Sequence, residues 1–412
     1  MEKNRITGSF QLMKSMNRSL ILNVIREKES ISRAEIAKLT KLTPPTVTNI
    51  VRELLETDLV VEQELGQSKG GRKPTLLTLN SDRLHVIGVD IGSQNLKVIL
   101  TNLTGTILKK KVIEIPAPIT NEALLSLLIE AIRSTINDRD FAKDKILGIG
   151  IGMHGIVDIP NGLSVFAPNL NLRNIPIKEA LEEEFSLEVK VENDARAMTL
   201  GELWFGNGVG VENLVCINIG RGIGAGIVID GKLHHGSHHI SGEMGHMTID
   251  LNGPPCTCGN NGCLQSFASG PAIAESARKE MMAGNSPILA QLAGNDAEAI
   301  TGELVYEAAL NGDLTCRHIL EQAGRFLGIG MTNLIHIVNP QRIILGGGVS
   351  NAGEMIVTSL IATVNKRTLT EAAKQTEMIV SKLKGDATAL GAVALILVEF
   401  FRVRAEDSQQ IK

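Results

Sequence analysis

The chain of 412 residues, 43 % hydrophobic and 21 % charged, has the composition of a globular protein with room for about three domains. No apolar run approaches the roughly 18 residues of a membrane span, the N-terminus lacks the apolar core of a signal peptide, and five cysteines do not make a secreted disulfide framework, so a cytoplasmic protein is expected. The net charge of −4 is uneven, with 13 Lys and Arg against 9 Asp and Glu in residues 1–80 and 28 against 36 afterwards, a reason to look for nucleic-acid binding near the N-terminus.

Residues 17–29, NRSLILNVIREKE, place Leu20, Ile21, Val24 and Ile25 on one helical stripe. Two helices joined by a tight turn follow in 32–60. Ser32 and Glu35 form a capping box for the first, and Thr43 caps the second, with Pro44 at the first helical position. Val47, Ile50, Val51, Leu54 and Leu55 make its buried face. That leaves Thr46, Thr48 and Asn49 outward, short polar side chains suited to base edges and phosphates. Residues 60–80 read as a two-stranded wing with a glycine-rich tip carrying Lys69, Arg72 and Lys73; Arg72 can enter a narrow minor groove, where negative potential is enhanced. The order predicts a winged helix-turn-helix over 1–81 that meets DNA through Ser32, Thr43, Thr46, Thr48, Asn49, Lys69, Arg72 and Lys73. A helical interaction module with a solvated basic loop is the plainer alternative.

From residue 85 the pattern becomes α/β. Three β-rich runs fill 85–115, with Asp90 near the first turn, and a helix at about 121–138 and the strand ILGIGIG (146–152) follow. A helix at about 176–185, the strand EVKVEND and a helix from Asp194 close this section. A second β-rich set begins at 213–236; mostly helical sequence, the strand-and-glycine turn RIILGGGVSNAG (342–353) and the helix ATALGAVALILVEFF complete the chain. Two similar strand-turn-strand openings suggest duplicated α/β lobes with a cleft between them. The expected division is a first lobe over 82–194, completed by 388–412, and a second over 195–387.

His246, Cys256, Cys258 and Cys263 have the spacing H-x9-C-x-C-x4-C. Three thiolates and an imidazole suit tetrahedral Zn²⁺, one ion per chain, and four protein ligands leave no open position for a catalytic water. Gly259 and Gly262 permit the turns that bring the cysteines together. Cys216 and Cys316 read as packing residues.

GVDIG, VENDARA, INIGRGIGAGIVIDGKL, SGEMGHM, CTCGNNGC and ILGGGVS, in this order over residues 85–400, resemble the ROK family (repressors, open reading frames, kinases), and the added winged helix-turn-helix resembles its xylose- and N-acetylglucosamine-type repressor branch. The resemblance implies an actin-like, ribonuclease-H-like two-lobed fold assembled as a homodimer or homotetramer. It implies a sugar bound by Asn169, Asn193, Asp194, Glu243, His246 and Gln265, with zinc fixing the tautomer of His246 so that its other nitrogen meets a sugar hydroxyl. Asn193 and Asp194 also read as a helix N-cap pair, which does not exclude sugar contact.

The phosphate turns depart from the kinases of this family. A D-x-G-G-T-K-type turn here reads Asp90-Ile-Gly92-Ser93-Gln94-Asn95, and Gly-Thr-Gly-x-Gly reads Gly220-Arg221-Gly222-Ile223-Gly224. Phosphate cradles need close backbone approach and small hydroxyls; Gln94 and Arg221 supply bulk instead. Gln265 stands where a glutamate is usual. The expectation is a non-enzymatic repressor released from operator DNA by a sugar inducer, the alternative being an ATP-dependent sugar kinase with an added DNA-binding domain.

Overall fold

The computed structural model describes residues 10–63, 75–136 and 143–402. Lys69, Arg72 and Lys73 lie outside the described residues.

The N-terminal module comprises α1 (Phe10–Lys28), β1 (Ile31–Ser32), α2 (Arg33–Thr40), α3 (Pro44–Glu56), β2 (Val60–Gln63) and β3 (Leu76–Leu79). Local signals set its boundaries. The Ser32–Glu35 capping box opens α2, and Thr43 accepts from the Thr46 amide at the start of α3. β3 pairs antiparallel with both β1 and β2 to form the wing. The α1 stripe differs from the expected one: Leu20 is exposed, and Ile21, Leu22 and Ile25 are buried with Val47, Ile50, Val51 and Leu54 of α3.

The first lobe follows with β4 (His85–Ile91), β5 (Asn95–Asn102), β6 (Ile107–Glu114), α4 (Asn121–Ile136) and β7 (Ile146–Met153). Then come β8 (Ile156–Asp158), β9 (Leu163–Ala167), β10 (Leu172–Ile175), α5 (Ile177–Phe185), β11 (Glu188–Asn193) and α6 (Asp194–Phe205). β8–β10 form a small separate sheet that the sequence reading did not resolve. The remainder holds β12 (Leu214–Ile219), β13 (Ile223–Ile229), β14 (Lys232–His234), α7 (Gln265–Ala268), α8 (Gly270–Met282), α9 (Pro287–Leu292), α10 (Gly302–Leu310), α11 (Leu314–Val338), β15 (Arg342–Gly346), α12 (Glu354–Arg367), β16 (Glu377–Val380) and α13 (Ala387–Phe401).

The two large sheets repeat one plan. The first runs β6-β5-β4-β7-β11 and the second β14-β13-β12-β15-β16. In each, three antiparallel strands adjoin two parallel ones through the first strand of the set. This duplicated plan is the actin-like, ribonuclease-H-like architecture. α13 lies so close on the first sheet that a side chain on Gly150 would strike the Ala392 carbonyl. α6 packs mainly on the second sheet, against β12 and β13, and also touches β7 and β11 of the first. The two helices also pack on each other. The N-terminal module is not tethered at a distance: Ile21, Ile25 and Leu54 share one core with Val86, Ile99, Leu390, Val393 and Leu397. Among the described residues no helix is long and apolar enough to cross a membrane.

Candidate functional site

A cleft of about 1280 Å³ runs between the two sheets, lined by Asp90, His154, Asn169, Asn193, Asp194, Gly220–Gly224, Glu243, His246, Gln265 and Gly346–Gly348 among others. It exceeds the usual size of a small-molecule pocket. The strand ends and helix starts of both lobes therefore converge on one space, and every residue expected at the sugar lies on it.

At one end β11 runs into α6. Asn193 caps that helix, its Oδ1 accepting from the Ala195 and Arg196 amides at 3.0 and 3.3 Å while its Nδ2 donates to the Gly155 carbonyl at 3.0 Å. Its cap role thus occupies the acceptor and one donor. One Asp194 carboxylate oxygen accepts from Asn218 Nδ2 at 3.1 Å. Glu243 stands exposed on the facing wall; partial desolvation pushes its carboxyl above the usual range, opposed by His246 and Arg196 and reinforced by Asp194. Asn169 is exposed at the rim.

The ligand atoms of His246, Cys256, Cys258 and Cys263 lie within 4.8 Å of one another. Tight bonds build the loop: the Cys256 amide donates to the Asn260 carbonyl at 2.7 Å and the Gly262 amide to the Pro254 carbonyl at 2.8 Å. Gly262, at φ +67°, passes where a Cβ would overlap the Asp250 carbonyl. The distances fit a tetrahedral ion. Zn–S bonds of about 2.3 Å set sulfurs roughly 3.8 Å apart, and Cys258 and Cys263 Sγ are 3.7 Å apart, as are Cys256 Sγ and His246 Nδ1. His246 commits Nδ1 to the cluster, which leaves Nε2 for another partner. Gln265 Nε2 donates to Cys256 Sγ at 3.3 Å. Its amide therefore supports a thiol of the Cys₃His cluster as well as lining the cleft.

Two features were missed from sequence. His154 is buried, with Nδ1 3.1 Å from the Ile91 carbonyl and Nε2 unpartnered. A carbonyl only accepts, so Nδ1 carries the proton, while Nε2 is buried away from the open space of the cleft. A histidine ending an apolar glycine-rich strand was the available signal. Behind the cleft, Glu192 and Arg196, both 2 % exposed, pair at 2.7 Å. His235 Nε2 meets the other Glu192 oxygen at 2.8 Å, and Arg196 Nη1 donates to the His239 and Ser241 carbonyls at 3.0 and 3.4 Å. Burial alone would raise the Glu192 carboxyl, but hydrogen bonds from His235 and Arg196 hold it below its ordinary value.

At the opposite end Ser93 and Arg221 line the cleft, and Gln94, next to Ser93, is exposed. Lys97, next to Asp90 in the ladder, is tied to the Gly385 carbonyl and lies 3.2 Å from Asp386. Burial pushes the Asp90 carboxyl up to about 7 against the pull of Lys97, with Asp194 and Asp386 adding to the rise.

On the N-terminal module Thr48 and Asn49 are exposed on α3, although the Thr48 hydroxyl donates to the Pro44 carbonyl at 2.9 Å. The hydroxyls of Thr43, exposed, and Thr46, half-buried, bond each other at 2.8 Å. Ser32 is not brought to the surface: it is 7 % exposed, and its hydroxyl bonds Glu35 at 2.7 Å.

Residues 86–399 match the ROK family, and residues 17–61 match a winged helix-turn-helix DNA-binding family. The chain belongs to the ROK family. It is 36 % identical over 390 residues to a xylose repressor of Caldicellulosiruptor bescii, covering 95 % of this chain and 97 % of the relative. Among solved structures it is similar to a ROK family transcriptional regulator described as a homologue of the E. coli MLC protein (TM-score 0.82, 30 % identity, 95 % of this chain and 97 % of that one). It is also similar to a ROK family glucokinase of Streptomyces griseus in complex with glucose and AMPPNP (TM-score 0.68, 31 % identity), which covers 76 % of this chain and 98 % of that one. The ROK module thus has relatives of both kinds, while the repressor-type relatives extend over the winged helix.

Proposed function

We propose that this chain is a sugar-responsive transcriptional repressor that binds operator DNA through its winged helix-turn-helix and releases it when a sugar occupies the inter-lobe cleft. The observation that carries this reading is a DNA-binding module sharing one core with a two-lobed body whose sugar end is furnished and whose phosphate end is not. Asp194 and Glu243 offer charged acceptors to hydroxyls, and His246, with Nδ1 turned to the cluster, offers its Nε2–H as a donor. In the turns that resemble the family's phosphate cradles, Gln94 and Arg221 replace small hydroxyls, and Lys97 is pinned to the Gly385 carbonyl. The chain is accordingly read as a non-enzyme.

The Cys₃His cluster would hold one structural Zn²⁺, which fixes the direction of His246 and leaves no coordination position for substrate. Xylose, named for the Caldicellulosiruptor relative, is the first inducer to test. The working division is 1–81 for DNA, 82–194 with 388–412 for the first lobe and 195–387 for the second. A homodimer or homotetramer would present paired α3 helices to half-sites about one helical turn apart.

The test has two arms. Duplexes selected from a random library by the full chain are titrated in a mobility-shift assay with D-xylose and a panel of sugars, and ADP release is followed with the same sugars and ATP. Sugar-dependent loss of the shift without ADP release is expected. Turnover of ATP would make the kinase reading the better one.

A further inference from the structure

The N-terminal module touches the body at one unusual contact. Arg26, on α1, places its guanidinium carbon 4.1 Å from the centre of the Trp204 ring and 5.4 Å from that of Phe401. Trp204 lies near the end of α6, and Phe401 is the last residue of α13. The two rings also meet each other, centroids 5.8 Å apart and tilted by 51°. Beside them Asn23 Nδ2 donates to the Phe401 carbonyl at 3.1 Å and the Ser19 hydroxyl to the Arg402 carbonyl at 3.3 Å. The Arg26 side chain is 22 % exposed and its Nε is buried without a hydrogen-bond partner; its ion pair is with Glu27 at 3.5 Å, itself 60 % exposed. An apolar residue of the same length would pack there without the cost of desolvating a cation. Ring faces, rather than fixed hydrogen bonds, hold the charge.

α6 begins at Asp194 in the cleft and ends beside Arg26, a span of about 15 Å at the helical rise. It packs mainly on the second sheet, whereas α13 lies on the first. The two helices cross at contact distance: a Cβ on Gly391 would overlap the Ala197 carbonyl, and one on Gly201 would strike the Ala387 carbonyl. A ligand that drew the sheets together would turn one helix against the other about this crossing and so change the separation of Trp204 and Phe401. Cation–π attraction extends only to about 6 Å from a ring centre, so a small change there alters the grip on α1. α1 shares its buried face with α3 and carries the DNA-reading helix with it.

We propose that Arg26, wedged between Trp204 of α6 and Phe401 of α13, is the positioning residue that couples lobe closure to the DNA-binding module. The proposal rests on the sugar-responsive reading above. Trp204 is the single tryptophan of the chain, so its emission reports this contact without labelling.

The experiment uses the full zinc-loaded chain, the selected operator duplex and the sugar that responds in the panel. Arg26→Met keeps length and packing but removes the charge, and Arg26→Lys restores a cation. For a parent that loses about 100-fold in operator affinity with saturating sugar, Arg26→Met is expected to lose less than about 10-fold. Its sugar affinity should stay within about twofold of the parent, since Arg26 touches no ligand. Arg26→Lys should recover part of the response, and sugar should shift Trp204 emission in the parent more than in Arg26→Met. An Arg26→Met protein that responds to sugar by the same factor as the parent overturns the role of Arg26. So does parent Trp204 emission indifferent to saturating sugar, which serves if the variant does not fold. A parent whose operator binding ignores every sugar while it binds one overturns instead the repressor reading, and the coupling with it.

Discussion

Replacing Arg196 by Met should destabilise the fold by orphaning a buried charge. Arg196 and Glu192 are each 2 % exposed, so removing the guanidinium leaves a buried carboxylate with His235 and the Asn193 amide as its remaining partners. Breaking a buried pair from one side costs about 3–5 kcal/mol; the surviving His235 contact argues for the lower half of that range. The carbonyls of His239 and Ser241, both half-buried residues, lose a charged donor as well, and each adds about 1 kcal/mol or less. We expect about 3–4 kcal/mol in equilibrium urea unfolding at neutral pH. Sugar affinity should fall too, because the 239–241 segment leads directly into Glu243. The double substitution Glu192→Gln with Arg196→Met should be more stable than Arg196→Met alone, since most of the loss lies in the orphaned charge. A single substitution costing under about 1 kcal/mol, or a double one costing the sum of both singles, refutes the reasoning.

Asn49→Ala should lose about 1–3 kcal/mol of discrimination at one base-pair position, measured by competition with single-base operator variants; an unchanged preference would remove α3 from base reading. Cys258→Ser should take zinc from one ion per chain to a substoichiometric amount by elemental analysis, with loss of the sugar response, because a serine oxygen is a poor substitute for thiolate. Stoichiometric zinc retained by the variant counts against the ligand set. For Asp90, the folded value of about 7 lies above the unfolded value of about 4, so its contribution is fully present in acid and is lost as pH rises through 7. Asp90→Asn should therefore gain thermal midpoint relative to the parent between about pH 5 and about pH 8, and a pH-independent difference would show that the carboxyl titrates normally.

Local chemistry was legible in the sequence, and long-range chemistry was not. The Ser32–Glu35 box, the Thr43–Pro44 start and the cysteine spacing each lie within a few residues, and their geometry follows from chain stiffness alone. The duplicated sheets were visible because each opens with the same strand-turn-strand pattern. β8–β10 escaped because strands of 3–5 residues give too few alternations to set a period. Ser32 was expected both to cap α2 and to meet DNA; its buried hydroxyl serves the cap with Glu35. Arg196 was not singled out in the sequence; only folding brings the His239 carbonyl to it and His235 to its partner Glu192, each across 43 positions. Lys97 meeting Asp386, and Arg26 meeting Trp204, span still longer intervals.

The central claim is that sugar and operator DNA compete through one conformational equilibrium, and a ligand shifts such an equilibrium only by its differential affinity. Sugar affinity measured by calorimetry with and without saturating operator duplex tests this most directly. A hundredfold loss of operator affinity on sugar binding corresponds to a coupling of about 2.7 kcal/mol, and reciprocity requires operator to weaken sugar binding by the same factor. Equal factors in both directions are the predicted result. Sugar that binds equally well to the free and the operator-bound protein would contradict the account.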